Sequence, residues 1–247
     1  MFSIIKKLVA LPQLVRDYFQ LRQQLRSVPG FPFGRAIPIV GDRLAESGVA
    51  RGSYFHQDLY VARRIFAAKP ERHVDIGSRV DGFVAHVASF REIEVFDIRP
   101  TSARAQSIVF RQANLMKLDP SLVAYCDSVS SLSVIEHFGL GRYGDPIDAA
   151  GHLKGLESIY AILRPGGTFY LSVPIGSQRI NFNAHRVFSV SYLLGLFQGK
   201  YSVEEFSFTD DAGDFHESVP LDPAGVAGNF GCGFGHGIFI LKKLSYA

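Results

Sequence analysis

His73-Val74-Asp75-Ile76-Gly77-Ser78-Arg79-Val80-Asp81-Gly82 is the stretch that decides how the rest of the chain reads. Its first four residues have the length and apolar content of a short buried strand. Gly77 follows at once and lets the backbone turn sharply and approach a ligand closely. From Gly82 to Phe90 the spacing predicts a helix. Strand, glycine turn and helix are the opening of an open α/β sheet. In such sheets ligands bind at the carboxyl ends of strands, near the point where strand order reverses. Asp75 and Ser78 flank the turn, and Asp75 is placed to accept a hydrogen bond from an ammonium or hydroxyl.

The downstream rhythm agrees. Ile93 to Ile98 alternates apolar and acidic residues and predicts a second strand, ending at Phe96-Asp97-Ile98. An acid about 20 residues past the glycine turn suits the two hydroxyls of a ribose. A third segment spans Arg111 to Leu118. Within it, Asn114-Leu115 offers an amide to an adenine edge. Ser128 to Val134 is a fourth strand and Asp148 to Leu163 a helix, stopped by Pro165-Gly166-Gly167. Thr168 to Val173 is a fifth strand, and Val190 to Phe197 a short helix. Val203 to Phe208 and Gly237 to Leu244 are two last strands with no clear helix between them. Alternating strands and helices mean a mainly parallel sheet, and the last two strands predict an antiparallel edge hairpin.

Upstream the pattern changes. Phe2 to Val28 has helical, amphipathic spacing with a break expected at Pro12. It holds five basic residues and one acid, so this segment carries +4 of a chain whose net charge is +3. Such a helix suits a membrane surface; packing on the domain or pairing with a second copy are the competing expectations. A linker rich in Pro and Gly follows from Pro29. The expected division is therefore a helix and linker over residues 1–52 and an α/β domain over 53–247.

Composition excludes several classes. The net charge is too weak for a nucleic-acid footprint. Cys126 and Cys232 lie too far apart in sequence for a metal-type or disulfide framework. No apolar run reaches the roughly 18 residues of a spanning helix, and the first residues lack the order of a signal peptide. A cytoplasmic setting is expected, with membrane association through the first helix as its variant. There is no phosphate-binding lysine motif and no full dinucleotide-type glycine turn. No metal site is expected.

His73–Gly82, Val95–Arg99, Asn114–Asp119, Ser128–His137 and Leu163–Pro174 resemble the successive motifs of class I S-adenosylmethionine-dependent methyltransferases, over roughly residues 57–244. The run from His137 to Asp148 also resembles a methyltransferase-like family of unknown function. The resemblance implies a Rossmann-like methyltransferase fold with S-adenosylmethionine as cofactor. It puts Asp75 and Gly77 beside the methionine part of the cofactor, Asp97 on the ribose, and Glu136 and His137 toward the substrate. One departure stands out. Arg79 and Asp81 occupy positions where the family has its second and third glycines, where a side chain would crowd the cofactor's carboxylate end or, for Arg79, pair with it.

The loop from Glu136 to Asp148 gathers Glu136, His137, Arg142, Tyr143, Asp145 and Asp148 at a strand's carboxyl end, where burying polar groups without a purpose is costly. His137 is a candidate general base; the competing reading is a histidine bonded to backbone. Asp145 before Pro146 suits either a turn or a substrate contact, and Asp148 suits a helix cap. After the fifth strand, His185 is the second base candidate. Arg179 and Arg186 suit an anionic group such as phosphate or carboxylate. The glycine-rich run Gly231–Gly237 reads as a tight bend. The sequence thus points to methyl transfer onto an oxygen or nitrogen of a small molecule or glycan intermediate. A binding or scaffold protein that has kept the fold is the alternative, and a nucleotide-linked enzyme on the same architecture a more distant one.

Overall fold

The computed structural model describes residues 2–28, 30–102 and 104–245, without the side chains of residues 2–10 and 44. The chain divides into two compact units, Met1–Val49 and Ala50–Ala247. In the first, α1 (Phe2–Gln24) runs through Pro12 as one helix, so the expected break is absent. The side chains of Ile4, Ile5, Leu8 and Val9 lie outside the described residues, as does Pro29, the expected start of the linker. From Leu11 onward, Leu14, Tyr18 and Leu25 are half-buried, whereas Leu11, Val15, Phe19 and Leu21 are exposed. Tyr18 meets Phe19 and Phe33 edge-on, and Arg43 pairs with Asp17. Among the described residues no helix is long and apolar enough to cross a membrane.

The second unit opens with α2 (Ser53–Ala68), β1 (His73–Ile76), a π-type turn over Val80–Val84 leading into α3 (Ala85–Ala88), β2 (Ile93–Asp97) and β3 (Ile108–Gln112). β4 (Cys126–Leu132), α4 (Gly151–Ile162) and β5 (Leu163–Ile175) follow, then the hairpin β6 (Arg179–Asn181) and β7 (His185–Val187). α5 (Val190–Phe197), β8 (Tyr201–Thr209), β9 (Phe215–His216), α6 (Pro223–Ala227) and β10 (Gly235–Lys243) complete it. The main sheet has the order β3-β2-β1-β4-β5-β10-β8-β9. β3 through β5 pair in parallel, and β10 runs antiparallel between β5 and β8. The sheet is mainly parallel with an antiparallel edge, as expected, and strand order reverses between β1 and β4.

Several elements differ from the reading above. The third strand lies three residues earlier, because Leu115 is buried in the turn after it rather than in the strand. α4 gives way directly to β5 at Leu163, two residues before the expected Pro-Gly stop. A short helix, α6, separates the last strands. Alternation along the strands gives the sheet two faces. One buries Val74, Ile76, Val129, Phe169, Leu171 and Phe239 beneath α4 and α5. The other buries Tyr170 and Ile238 with Tyr60, Val61 and Ile65 of α2 and Phe83 and Val84.

On that second face the residues between the apolar ones are polar, and those of β1 and β4 form one network. Asp75 is fully buried; Ser78 donates to it from its backbone N–H (2.8 Å) and hydroxyl (2.6 Å), and Ser130 from its hydroxyl (2.6 Å). The Ser78 hydroxyl in turn accepts from the Leu132 N–H at 3.1 Å. His73 contacts Ser130 through Nε2 (3.1 Å) and Ser128 through Nδ1 (2.8 Å). Since Ser130 gives its proton to Asp75, Nε2 is the protonated nitrogen of His73. Gln57 of α2 accepts from Ser133 and Ser172 at the ends of β4 and β5.

The loop between β4 and α4 is pinned from the other side. Arg186, buried on β7, donates to the carbonyls of Glu136, Phe138, Asp148 and Ala149. Gly139, at φ +77°, has no room for a side chain, since a Cβ there would lie 2.0 Å from the Asp148 carbonyl oxygen.

Burial raises the Asp75 carboxyl from 3.8 to about 6 against the hydrogen bonds from Ser130 and Ser78. The folded state therefore holds a proton that the unfolded chain releases above its ordinary value of 3.8. Stability from this group is present below that value and lost as pH rises through about 6. Relative to Asp75→Asn, the wild type should lose about 3 kcal/mol of unfolding free energy between acid and neutral pH. Denaturant melts of both proteins across that range check it, and parallel curves would contradict it.

Candidate functional site

Gly77 sits at φ +65°, and a Cβ on it would come 2.9 Å from a Val134 methyl. Its N–H donates to the Phe96 carbonyl at 2.9 Å. The turn is thus pressed between the ends of β2 and β4, leaving a cleft of about 550 Å3, counted to its open mouth. Gly77, Asp97, Asn114 and Leu115, four of the six cofactor candidates, line it with apolar Ile76, Phe96, Ala113, Val134 and Phe138. Asn114 Oδ1 accepts from the Met116 N–H at 3.0 Å, which fixes the turn and leaves the amide NH2 free of a described partner.

Asp97 is not open. Its Oδ1 accepts from the Arg99 backbone N–H (2.8 Å) and Nε (3.0 Å), and its Oδ2 from Arg99 Nη2 (2.6 Å). Three of its four lone-pair directions are taken. The Arg99 guanidinium also lies over the Tyr143 ring, 4.6 Å from its centroid.

The other two cofactor candidates fall elsewhere. Asp75 borders neither this cleft nor the larger one beside it. Its strand parity turns it to the buried polar face, where it is bonded to Ser78 and Ser130 and shapes the turn. Ser78 is likewise spent on Asp75 and Leu132, though it borders a second, larger cleft. That cleft also holds Glu136, His137, Arg142, Tyr143 and His185, the expected acceptor-side residues. Gly77, Arg99, Ser133, His137 and Tyr143 line both clefts, so the two meet at His137.

Arg79 and Asp81 do not crowd the turn. Both side chains are largely exposed and pair with each other at 3.1 Å, and Arg79 lies over the Tyr54 ring. The strict steric requirement falls on Gly82 instead, where a Cβ would meet Asp58 Oδ2 at 2.4 Å.

Electrostatics separates the two groups at the junction. His137 donates from Nδ1 to the Ala184 carbonyl (2.6 Å), leaving the Nε2 lone pair free. Burial pulls it down to about 4, although that hydrogen bond works the other way. Burial pushes Glu136 up to about 8. At pH 7 the imidazole is neutral and the carboxyl protonated, so their 3.8 Å Nε2–Oε1 approach is no ion pair. The backbone-bonded histidine and the base candidate turn out to be compatible, because one nitrogen does each. His185 contacts Asn181 through Nε2 (3.0 Å) and packs against Phe234, with burial lowering its pKa.

Asp145 accepts from the backbone N–H groups of Gly139, Gly141 and Tyr143, so its carboxylate organises the loop while bordering the first cleft. Asp148 accepts from the Ala150 N–H and Lys154, just ahead of α4. Arg179 is a correction. It donates to the carbonyls of Ser177 and Gly233 and borders neither cleft. Arg186 is bound to four backbone carbonyls and likewise borders neither cleft.

Tyr54, Phe234 and His236 line the second cleft without having been singled out as site residues. The signal for the last two was the antiparallel direction of the final strand. It brings the start of β10 to the end of β5, pairing His236 with Pro174. Among the described residues no group of His, Cys, Asp or Glu is arranged to hold a metal ion.

Residues 102–222 match a family model described as Caenorhabditis protein of unknown function, DUF268. No curated protein sequence matches the chain. Among solved structures, the chain is similar to the 1,6-didemethyltoxoflavin-N1-methyltransferase of Burkholderia thailandensis, solved with 1,6-didemethyltoxoflavin and S-adenosylhomocysteine. The TM-score is 0.54 and the identity 16%, over 76% of this chain and 79% of that one. It is similar to the N-methyltransferase NodS of Bradyrhizobium japonicum WM9, solved with S-adenosylhomocysteine, at TM-score 0.52 and 10% identity, covering 83% and 92%. It is also similar to the [4+2]-cyclase SpnF, at TM-score 0.54 and 13% identity, covering 81% and 86%. At these identities the likeness is one of fold, and the chain carries the Rossmann-like fold of the class I S-adenosylmethionine-dependent methyltransferases.

Proposed function

We propose that the protein transfers a methyl group from S-adenosylmethionine to an oxygen or nitrogen of a small polar acceptor, such as a sugar or glycan intermediate. The observation that carries this reading is the meeting of two clefts at His137, one with an apolar wall beside an acidic residue, the other polar. The first cleft fits the cofactor's nucleoside. Gly77 gives the close backbone approach, Phe96, Leu115 and Val134 the apolar wall, Asn114 an amide, and Asp97 an acceptor for ribose hydroxyls. When bound, S-adenosylmethionine supplies an electrophilic methyl carbon, which an acceptor lone pair takes as the carbon–sulfur pair returns to sulfur.

The chain's own part is placement and proton handling. The loop pinned by Arg186 and Asp145 sets His137 between the two ligands. With Nδ1–H committed to Ala184, Nε2 is the atom that receives the acceptor's proton. A base lowered to about 4 stays unprotonated throughout the neutral range.

One observation favours the alternative, a protein that keeps the fold for binding alone: Arg99 already occupies most of Asp97. A ligand hydroxyl arriving there shares the carboxylate with Arg99 or displaces it. Asp97→Ala separates the readings. It should weaken S-adenosylhomocysteine binding by about tenfold or more in equilibrium dialysis, the loss of at least one charge-assisted hydrogen bond. Unchanged affinity would remove Asp97 from the cofactor site.

We further propose that α1 rests on a membrane surface, on account of the +4 charge of residues 2–28 and the exposed Leu11, Val15 and Phe19. The full chain should float with vesicles containing anionic lipid, and a chain beginning at Gly30 should not. Equal flotation of the two would overturn this.

A further inference from the structure

The second cleft is lined by a carboxyl with an unpartnered oxygen and by an arginine without an ion pair among the described residues. Glu136 is 2% exposed, and its Oε2 has no hydrogen-bond partner. Its Oε1 lies too far from His137 Nε2 for a hydrogen bond. Buried carboxyl oxygens are nearly always paired. Glu136 lines the cleft, so a ligand there could supply the missing partner.

The second group is Arg142. Three arginines line this cleft. Arg79 is neutralised by Asp81 and Arg99 by Asp97. Arg142 has no ion pair among the described residues. It donates from Nη1 to the Ala184 carbonyl at 2.9 Å and packs over Tyr143, 5.1 Å from the ring centroid. Most of its five N–H donors remain unused, and a guanidinium with donors to spare suits a planar or tetrahedral oxyanion.

We propose that the second cleft takes an acceptor bearing a carboxylate or phosphate group, gripped by the Arg142 guanidinium and the Glu136 carboxyl, next to the hydroxyl or amine served by His137. Calling the ligand an acceptor rests on the methyl-transfer reading; the anion site itself does not. A Glu136 held protonated at neutral pH by burial donates to the oxyanion instead of repelling it. The groups that face or share this space are Tyr54 of α2, His137 and Arg142 on the same loop, His185 of β7 and His236 of β10. Burial holds all three histidines below their ordinary value, so they add no charge at pH 7. The cleft's uncompensated charge is then that of Arg142. The anion role foreseen for Arg179 and Arg186 thus moves to Arg142.

The test is a nuclear magnetic resonance titration of the full chain, following histidine ring and arginine Nε–H signals, with inorganic phosphate, acetate and neutral acetamide. S-adenosylhomocysteine is titrated separately. Phosphate or acetate should shift the His137 and Arg142 signals saturably, and acetamide should not. Which anion binds more tightly distinguishes a phosphorylated from a carboxylated acceptor. Arg142→Gln should weaken anion binding about tenfold or more. Wild-type binding should weaken as pH rises through about 8 and Glu136 ionises. In Glu136→Gln, which keeps a neutral donor, that pH dependence should vanish. Failure of both anions to saturate, equal response to acetamide, or an Arg142→Gln protein that binds like wild type would each overturn the anion site. Retained S-adenosylhomocysteine affinity in the variants excludes misfolding as the cause. Loss of that affinity in the wild type would count against methyl transfer alone.

Discussion

The Asp75 carboxyl is the constraint on which the site depends. It lies fully buried at the end of β1, where it gathers three donors from Ser78 and Ser130. Those bonds tie the glycine turn to β4, the neighbour across the reversal of strand order. Through the Ser78 hydroxyl they reach the Leu132 N–H, one residue before Ser133 and the start of the β4 loop. Removing the carboxyl would leave buried hydroxyls unpaired and free the turn to move, so the geometry of Gly77 depends on a residue buried beneath the turn.

A second set of fixed points holds the acceptor side. Arg186 on β7 gathers four carbonyls of the β4–α4 loop, and Asp145 gathers three of its N–H groups. With both ends of its peptide dipoles occupied, the loop presents Glu136 and His137 in one arrangement. Burial then drives their proton affinities in opposite directions, giving a protonated carboxyl and a neutral imidazole side by side. Pairs of titratable groups pushed apart by their surroundings mark places where acid–base work can be done.

Much of this was legible in the sequence because strand alternation and glycine turns are local signals. The fold class and the cluster after β4 follow from them. The misplacements share a cause: a motif gives a residue's position along a strand end but not its direction. Asp75 has the parity of His73 rather than of Val74 and Ile76, and that period of two sends it inward. Leu115 and Leu118 looked like strand because apolar residues in a turn are indistinguishable from strand by pattern alone. Arg179 and Arg186 looked like anion ligands, but carbonyls crowded by a hairpin and a loop claimed them first. Phe234 and His236 reach the site only through antiparallel pairing with β5, a long-range contact that no local pattern encodes.

Arg79 and Asp81 replace two glycines of a motif yet leave the turn open, since they pair with each other in solvent while Gly77 and Gly82 keep the close contacts. The central claim is therefore that this turn still accepts S-adenosylmethionine. Calorimetric titration of the purified full chain with S-adenosylmethionine and with S-adenosylhomocysteine tests it most directly. The account predicts saturable binding of both at a single site. A well-folded protein that takes up neither at near-millimolar ligand would contradict it, and would leave the two clefts to some other pair of ligands.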